Sequence, residues 1–179
     1  QNKNIINPIY ITGLARSGTT MMLEKLSMHK EFAYHSYRDF PMIFTPYFWN
    51  KTLIFLDRFI KDKNYYERSH KDGISINSNS PEAFEEVIWR LFFNGLANKD
   101  SPILDSGTDN YSFAQFYHKH ILKLLHAKSA KRYLTKANYN ISRIDYIKKL
   151  YPDSKFIIMI RNPVNHINSI IKQDKLFTK

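Results

Sequence analysis

The residues with the plainest chemical meaning are the eight of GLARSGTT, residues 13–20. Gly13 and Gly18 keep the spacing of the phosphate-binding loop G-x-x-x-x-G-K-[ST]. In that loop backbone N–H groups cradle the phosphates, the lysine reaches the β and γ groups, and the Ser or Thr holds magnesium. Here Thr19 stands where the lysine belongs. The cradle itself survives. The glycines permit the turn, and a helix opening near Thr19 offers free N–H groups and the positive end of its dipole. Thr19 and Thr20 add hydroxyls, and Arg16 adds a planar cation. The loop wants an anion but lacks the usual means of handling Mg-ATP.

A second stretch, RNPVNHINS (residues 161–169), offers another anion site. Arg161 directly follows an apolar run and can grip a phosphate bidentately. Ser169 lies on the helix that Pro163 opens, facing back toward Arg161. A sulfuryl group in transfer carries less negative charge than a terminal phosphoryl. Fixed N–H donors and one or two cations can then stabilise the leaving phosphate without a metal.

These two stretches resemble the sulfotransferase family, which uses 3'-phosphoadenosine 5'-phosphosulfate (PAPS). The resemblance runs from about Ile9 to Gln173. It implies a three-layer, P-loop-like α/β fold with a central parallel sheet. It implies that Arg16, Ser17, Gly18, Thr19 and Thr20 hold the 5'-phosphosulfate, and that Arg161 and Ser169 hold the 3'-phosphate. Lys136 is implied near the sulfuryl group, where it offsets leaving-group charge alongside Arg16. The implied product is 3',5'-adenosine bisphosphate, and no metal is called for. The family's glycine- and lysine-containing segment near the adenine is absent. Residues 1–179 are therefore expected to be a single domain truncated at its C-terminus.

Transfer to a hydroxyl needs a general base near the acceptor oxygen. The window YHSYRDFP (residues 34–41) offers Asp39 and His35. Asp39 is the expected base, although neighbouring Arg38 lowers its pKa and a salt bridge or turn cap is its other reading. His35, Glu82 and Glu85 stay open as alternatives. Glu82 in a first helical turn also suits the dipole, and Glu85 or Glu86 can face solvent. His118, His120 and His126 do not form a ligand set, because positions 118 and 120 point to different sides of a helix.

The elements that must position these groups alternate along the chain. PIYIT (8–12), PILD (102–105), RYLTK (132–136) and KFIIMI (155–160) read as short buried strands. Helices are expected over 19–29, 80–98, 113–126, 142–150 and 163–172. Ser80 is the cap and Pro81 the first-turn residue of the second of these. Alternation of this kind indicates a parallel sheet with helices on both faces and ligands beyond the strands' carboxyl ends. The stretch Phe44–Phe59 lines an acceptor pocket or forms a core helix.

Composition bounds the partners. Of the 179 residues, 43% are hydrophobic, enough for one sizeable core. No run approaches the roughly 20 apolar residues of a membrane span. The net charge of +11 fits a solvated basic surface or an anionic partner. Its lysines are spread out, which argues against a nucleic-acid arm. There is no cysteine, and the expected setting is cytoplasmic. The leading expectation is a PAPS-dependent sulfotransferase acting on a hydroxyl of a carbohydrate, lipid or other small molecule. The rivals are a P-loop kinase using Mg-ATP and a non-catalytic basic module for polyanions.

Overall fold

The computed structural model describes residues 4–59, 65–67, 73–93, 96 and 103–178. In chain order the elements are β1 (Ile9–Gly13), α1 (Thr19–Ser27), β2 (Phe32–Ala33), α2 (Pro46–Leu56), β3 (Tyr66–Glu67), β4 (Ser75–Ile76) and α3 (Glu86–Phe92). They continue with α4 (Tyr111–Ala127), β5 (Arg132–Lys136), α5 (Ile144–Leu150), β6 (Lys155–Met159) and α6 (Pro163–Phe177). Single 3-10 turns cover Tyr37–Met42 and Asn138–Ser142. The main sheet runs in the order β2-β5-β1-β6, with every pair parallel. A short antiparallel β3–β4 pair stands apart from it.

Side chains on successive strand residues point to opposite faces, and that period of two divides the core. Ile9 and Ile11 of β1, Phe32 of β2 and Leu134 of β5 pack with Leu23 of α1 on one face. Tyr10, Ala33 and Tyr133 face the other way, into a larger cluster with Trp89 of α3, Phe113 and Tyr117 of α4, and Tyr146 of α5. The sheet is thus sandwiched between α1 and the α3–α5 layer, giving the expected three-layer α/β fold. Among the described residues no helix is long and apolar enough to cross a membrane.

Two expected elements differ. PILD is not a strand over its described residues: Leu104 donates its N–H to the Ser142 carbonyl instead. Asp105 then accepts from the N–H groups of Gly107 and Thr108, a turn stabilised by its own side chain. Pro102 lies outside the described residues. The helix expected from Ser80 begins only at Glu86, and positions 97–98 of its expected end are likewise undescribed. The preceding backbone is taken by the segment after β2: the Tyr37 N–H donates to the Ser80 carbonyl, and the Glu82 N–H to that of His35. Capping signals at Ser80 and Pro81 lose to this cross-chain pairing. Glu82 accepts from the Tyr37 hydroxyl at 2.8 Å rather than serving a helix dipole.

Glu85 reverses the expectation of a solvent-facing side chain. It is fully buried, and its carboxyl oxygens accept from Trp89 Nε1, from Tyr117 Oη at 2.7 Å and from Tyr133 Oη at 2.7 Å. Burial, with Glu85 beside them, pushes both tyrosines well above their ordinary pKa. Glu86 is also engaged, by a two-pronged bond from buried Arg143 at 2.8 and 2.9 Å. A buried acceptor serving three donors is costly to remove, because each donor left unpaired loses about 1–3 kcal/mol. Glu85→Ala is therefore expected to lower the unfolding free energy by about 3 kcal/mol or more in urea titration. Loss below about 1 kcal/mol would contradict the buried network.

Candidate functional site

β1 delivers the chain into the glycine loop at the carboxyl edge of the sheet. At Gly13 φ is 148°, and a Cβ built there would lie 2.6 Å from the Met159 carbonyl oxygen and 2.7 Å from Ser17 Oγ. Only glycine allows the loop to press so closely on the end of β6. Gly18, with φ of 101°, caps α1, whose first N–H groups have no intrahelical acceptor. Arg16 takes a left-handed conformation, φ 69°, that a non-glycine residue rarely adopts. The Ser17 N–H closes the turn onto the Leu14 carbonyl at 3.1 Å. Ser17 Oγ is buried in the loop and has no hydrogen-bond partner among the described residues.

The loop forms one wall of a cavity of about 760 Å3. Arg16, Gly18, Thr19 and Thr20 line it from the loop and α1, Lys136 from the end of β5, and Arg161 and Ser169 from the end of β6 and α6. The fold therefore gathers seven of the sequence-derived site residues around one space. Ser17 is in the loop but does not line the cavity. Sequence reasoning did not pick out Asn138, Asn165, Asn168, Lys172 and Gln173, which also line it. For the α6 members a signal existed: 165, 168, 169, 172, 173 and 176 recur at helical spacing and form one face. Four cations (Arg16, Lys136, Arg161 and Lys172) stand on the wall, and its described residues include no carboxylate.

Loop and helix are tied directly although about 150 residues separate them in sequence. Arg16 Nε donates to Ser169 Oγ at 3.2 Å, and Arg161 Nη1 donates to the Arg16 carbonyl at 3.1 Å. His166 Nε2 lies 2.6 Å from the Ala15 carbonyl oxygen; an oxygen of that kind only accepts, so the ring nitrogen donates. The first hydroxyl of the β1 edge, Thr12 Oγ1, donates to the Asn138 carbonyl at 3.1 Å and holds the neighbouring turn in place.

The four base candidates lie outside the described cavity lining. Asp39 sits in the 3-10 turn after β2 and is only 4% exposed. Its Oδ2 accepts from Ser36 N at 2.8 Å and Ser36 Oγ at 2.7 Å, closing a capping box, and from Lys128 Nζ at 3.0 Å. Burial pushes its pKa up, but the Lys128 ammonium and the Ser36 bonds more than reverse this and hold it below the usual value. The cation that pairs with it is thus Lys128, while neighbouring Arg38 pairs with Asp57. His35 is buried and turned toward His120, with the two Nε2 atoms 3.0 Å apart. His118 instead stacks on Tyr151 and His126 meets Tyr47 at a tilt, so the α4 histidines diverge. The Phe44–Phe59 stretch contains α2 (Pro46–Leu56), which packs on α4 through Asn50 Nδ2 donating to the Ala127 carbonyl and leaves Phe48 and Phe55 exposed.

The family profile described as "Sulfotransferase family" matches residues 8–178 of the chain. Two solved structures are similar over nearly all of it. Sulfotransferase STF1 from Mycobacterium tuberculosis H37Rv shares 18% identity with a TM-score of 0.52, over 95% of this chain and 50% of that one. Sulfotransferase STF9 from Mycobacterium avium shares 14% identity with a TM-score of 0.55, over 98% of this chain and 48% of that one. At these identities the likeness is one of fold. The chain spans about half the length of both. None of the curated proteins compared with it matches.

The histidine pair has a measurable signature. Burial pushes His35 down to about 4, with Lys128 lowering it further and Asp39 opposing. Burial and then His35 push His120 well below its ordinary value. Both folded pKa values lie below the unfolded value of about 6.5, so between the two the unfolded chain binds more protons and stability rises with pH. Asp39 acts lower still: its contribution is present above the ordinary carboxylate pKa and is lost as pH falls through the depressed one. Unfolding free energy is expected to fall by roughly 3 kcal/mol between about pH 6.5 and pH 4 from His35 alone, at about 1.4 kcal/mol per unit. Urea titrations at four pH values across that window would expose it, and a flat profile would rule out a buried neutral pair.

Proposed function

The chain belongs to the sulfotransferase family, and from that premise we propose that it binds PAPS in the cavity between the glycine loop and α6. PAPS supplies the sulfuryl group, which passes from its 5'-phosphate to an acceptor hydroxyl of a carbohydrate, lipid or other small molecule. The observation that carries this reading is a cavity wall with four cations and no described carboxylate, backed by a loop that only glycine at position 13 permits. Its volume suits a nucleotide-sized ligand. The residues present fit a doubly anionic nucleotide that needs no metal.

In this reading the loop residues Arg16, Ser17, Gly18, Thr19 and Thr20 hold the 5'-phosphosulfate through backbone N–H groups, hydroxyls and the Arg16 guanidinium. Ser17 Oγ is buried behind the cavity wall, so its share in holding the anion requires that hydroxyl to turn toward the cavity. Arg161 and Ser169 hold the 3'-phosphate, the guanidinium by its two-pronged fork. Lys136, at the end of β5, stands on the same wall as Arg16, so both cations can offset charge developing on the leaving phosphate oxygen. Asp39 serves as the general base only if the acceptor hydroxyl reaches it, since it is buried and outside the cavity's described lining. To take a proton its carboxylate must also exchange the Lys128 and Ser36 bonds for the acceptor hydroxyl.

Two experiments test these assignments. Thermal stabilisation by 3',5'-adenosine bisphosphate should exceed that by 5'-AMP or Mg-ATP, reaching about 2.7 kcal/mol at a hundred times the dissociation constant. Arg161→Ala should abolish the preference. Greater stabilisation by Mg-ATP would favour phosphoryl transfer instead. For Asp39, the Asn variant separates base from cap. A base predicts a fall of about 10²-fold or more in sulfuryl transfer. A cap alone predicts unchanged turnover per folded molecule and about 1 kcal/mol less stability.

A further inference from the structure

His166 belongs to neither anion motif's paired residues, yet it makes the shortest of the three hydrogen bonds described between the glycine loop and residues 161–169. Its Nε2 donates to the Ala15 carbonyl at 2.6 Å, one residue before Arg161 Nη1 takes the Arg16 carbonyl at 3.1 Å. Two successive loop carbonyls are thus drawn toward the β6–α6 side. In a trans peptide the C=O and the following N–H point in opposite directions. Fixing the Ala15 carbonyl on α6 therefore aims the Arg16 N–H the other way.

That peptide leads into the loop's strained non-glycine residue. Arg16 sits at φ 69°, a conformation of higher energy for any residue with a Cβ, and a flip of the Ala15–Arg16 plane would relieve it. Ser17 cannot prevent the flip, because its own N–H is spent on Leu14. The carbonyl acceptor is fixed by His166, which α6 holds four residues beyond the Asn162 cap: the His166 N–H donates to the Asn162 carbonyl at 2.9 Å. The Asn162 side chain in turn caps the helix by accepting from Val164 N at 3.1 Å.

We propose that His166 is a positioning residue that locks the Ala15–Arg16 peptide of the glycine loop, so that the loop presents a backbone N–H to the 5'-anion of the donor. This rests on the donor-site reading given above. The effect is expected to be larger at the 5' end, because Arg161 and Ser169 meet Arg16 through its carbonyl and Nε, both outside the Ala15–Arg16 peptide plane.

The test compares 3',5'-adenosine bisphosphate with 3'-AMP, which lacks the 5'-phosphate, by calorimetry on the wild-type chain and two variants. His166→Ala should weaken the bisphosphate about tenfold, the loss of one hydrogen bond to an anion, and leave 3'-AMP within roughly twofold. His166→Gln, which carries an N–H at about the reach of Nε2, should recover most of the difference. Nitrogen-15 NMR of the free protein should find a proton on His166 Nε2, and the Arg16 amide resonance should shift in the Ala variant. Equal losses for both nucleotides, no loss for either, or an unprotonated Nε2 would overturn the inference while leaving the donor site intact. A wild-type chain that binds the bisphosphate no better than 5'-AMP would overturn the donor-site reading, and this inference with it.

Discussion

Everything in the site hangs on the register of β1. It is central, pairing with β5 on one side and β6 on the other, both parallel. Ile11 lies opposite Lys136 and Gly13 opposite Met159, so three strands end within a residue or two of one another. Parallel pairing then obliges the three segments that follow to start from the same edge. The glycine loop, the Asn138–Ser142 turn and the Arg161 corner are neighbours for that reason. A slip of one residue would exchange the two faces of β1. Ile9 and Ile11 would leave α1, and Gly13 would lose its fit against Met159.

Two carboxyl groups buried behind that edge show a second rule, that an enclosed acceptor is costly unless donors meet it. Glu85 satisfies two tyrosines and a tryptophan, and Asp39 satisfies Ser36 and Lys128. These carboxyl groups knit the layers together in places where hydrophobic packing alone would leave tyrosine hydroxyls stranded. The same arrangement bears on acid–base chemistry. A carboxylate with three donors is stabilised as the anion, so any catalytic use of Asp39 competes with its structural bonds.

Much of this was legible in the sequence. RYLTK is β5 at its expected bounds, and the strands after Pro8 and at Lys155 shift by no more than a residue. β-Branched and aromatic runs buried on both faces leave little ambiguity. Gly13, Gly18, Lys136, Arg161 and Ser169 could be placed because each adjoins such a strand or the helix after it. What escaped depends on partners distant in sequence. Ser80 and Pro81 look like a helix start until the His35 segment takes up their backbone, and Glu85 looks solvated until Tyr117 and Tyr133 close over it. Lys172 and the asparagines of α6 follow a helical period, but nothing local says which face of that helix meets the loop.

The way α6 is held has a consequence for how affinity should be understood. None of the side chains of this 15-residue helix is buried, and three hydrogen bonds tie its cavity side and the Arg161 corner to the glycine loop. A molecule bridging that cavity would touch both parts at once and act as a clamp between them. Docking of the helix and occupancy of the cavity then share one free energy: whatever fraction of molecules has α6 seated multiplies the intrinsic affinity. Substitutions on the solvent side of α6, far from any phosphate, would change apparent binding simply by loosening the seat.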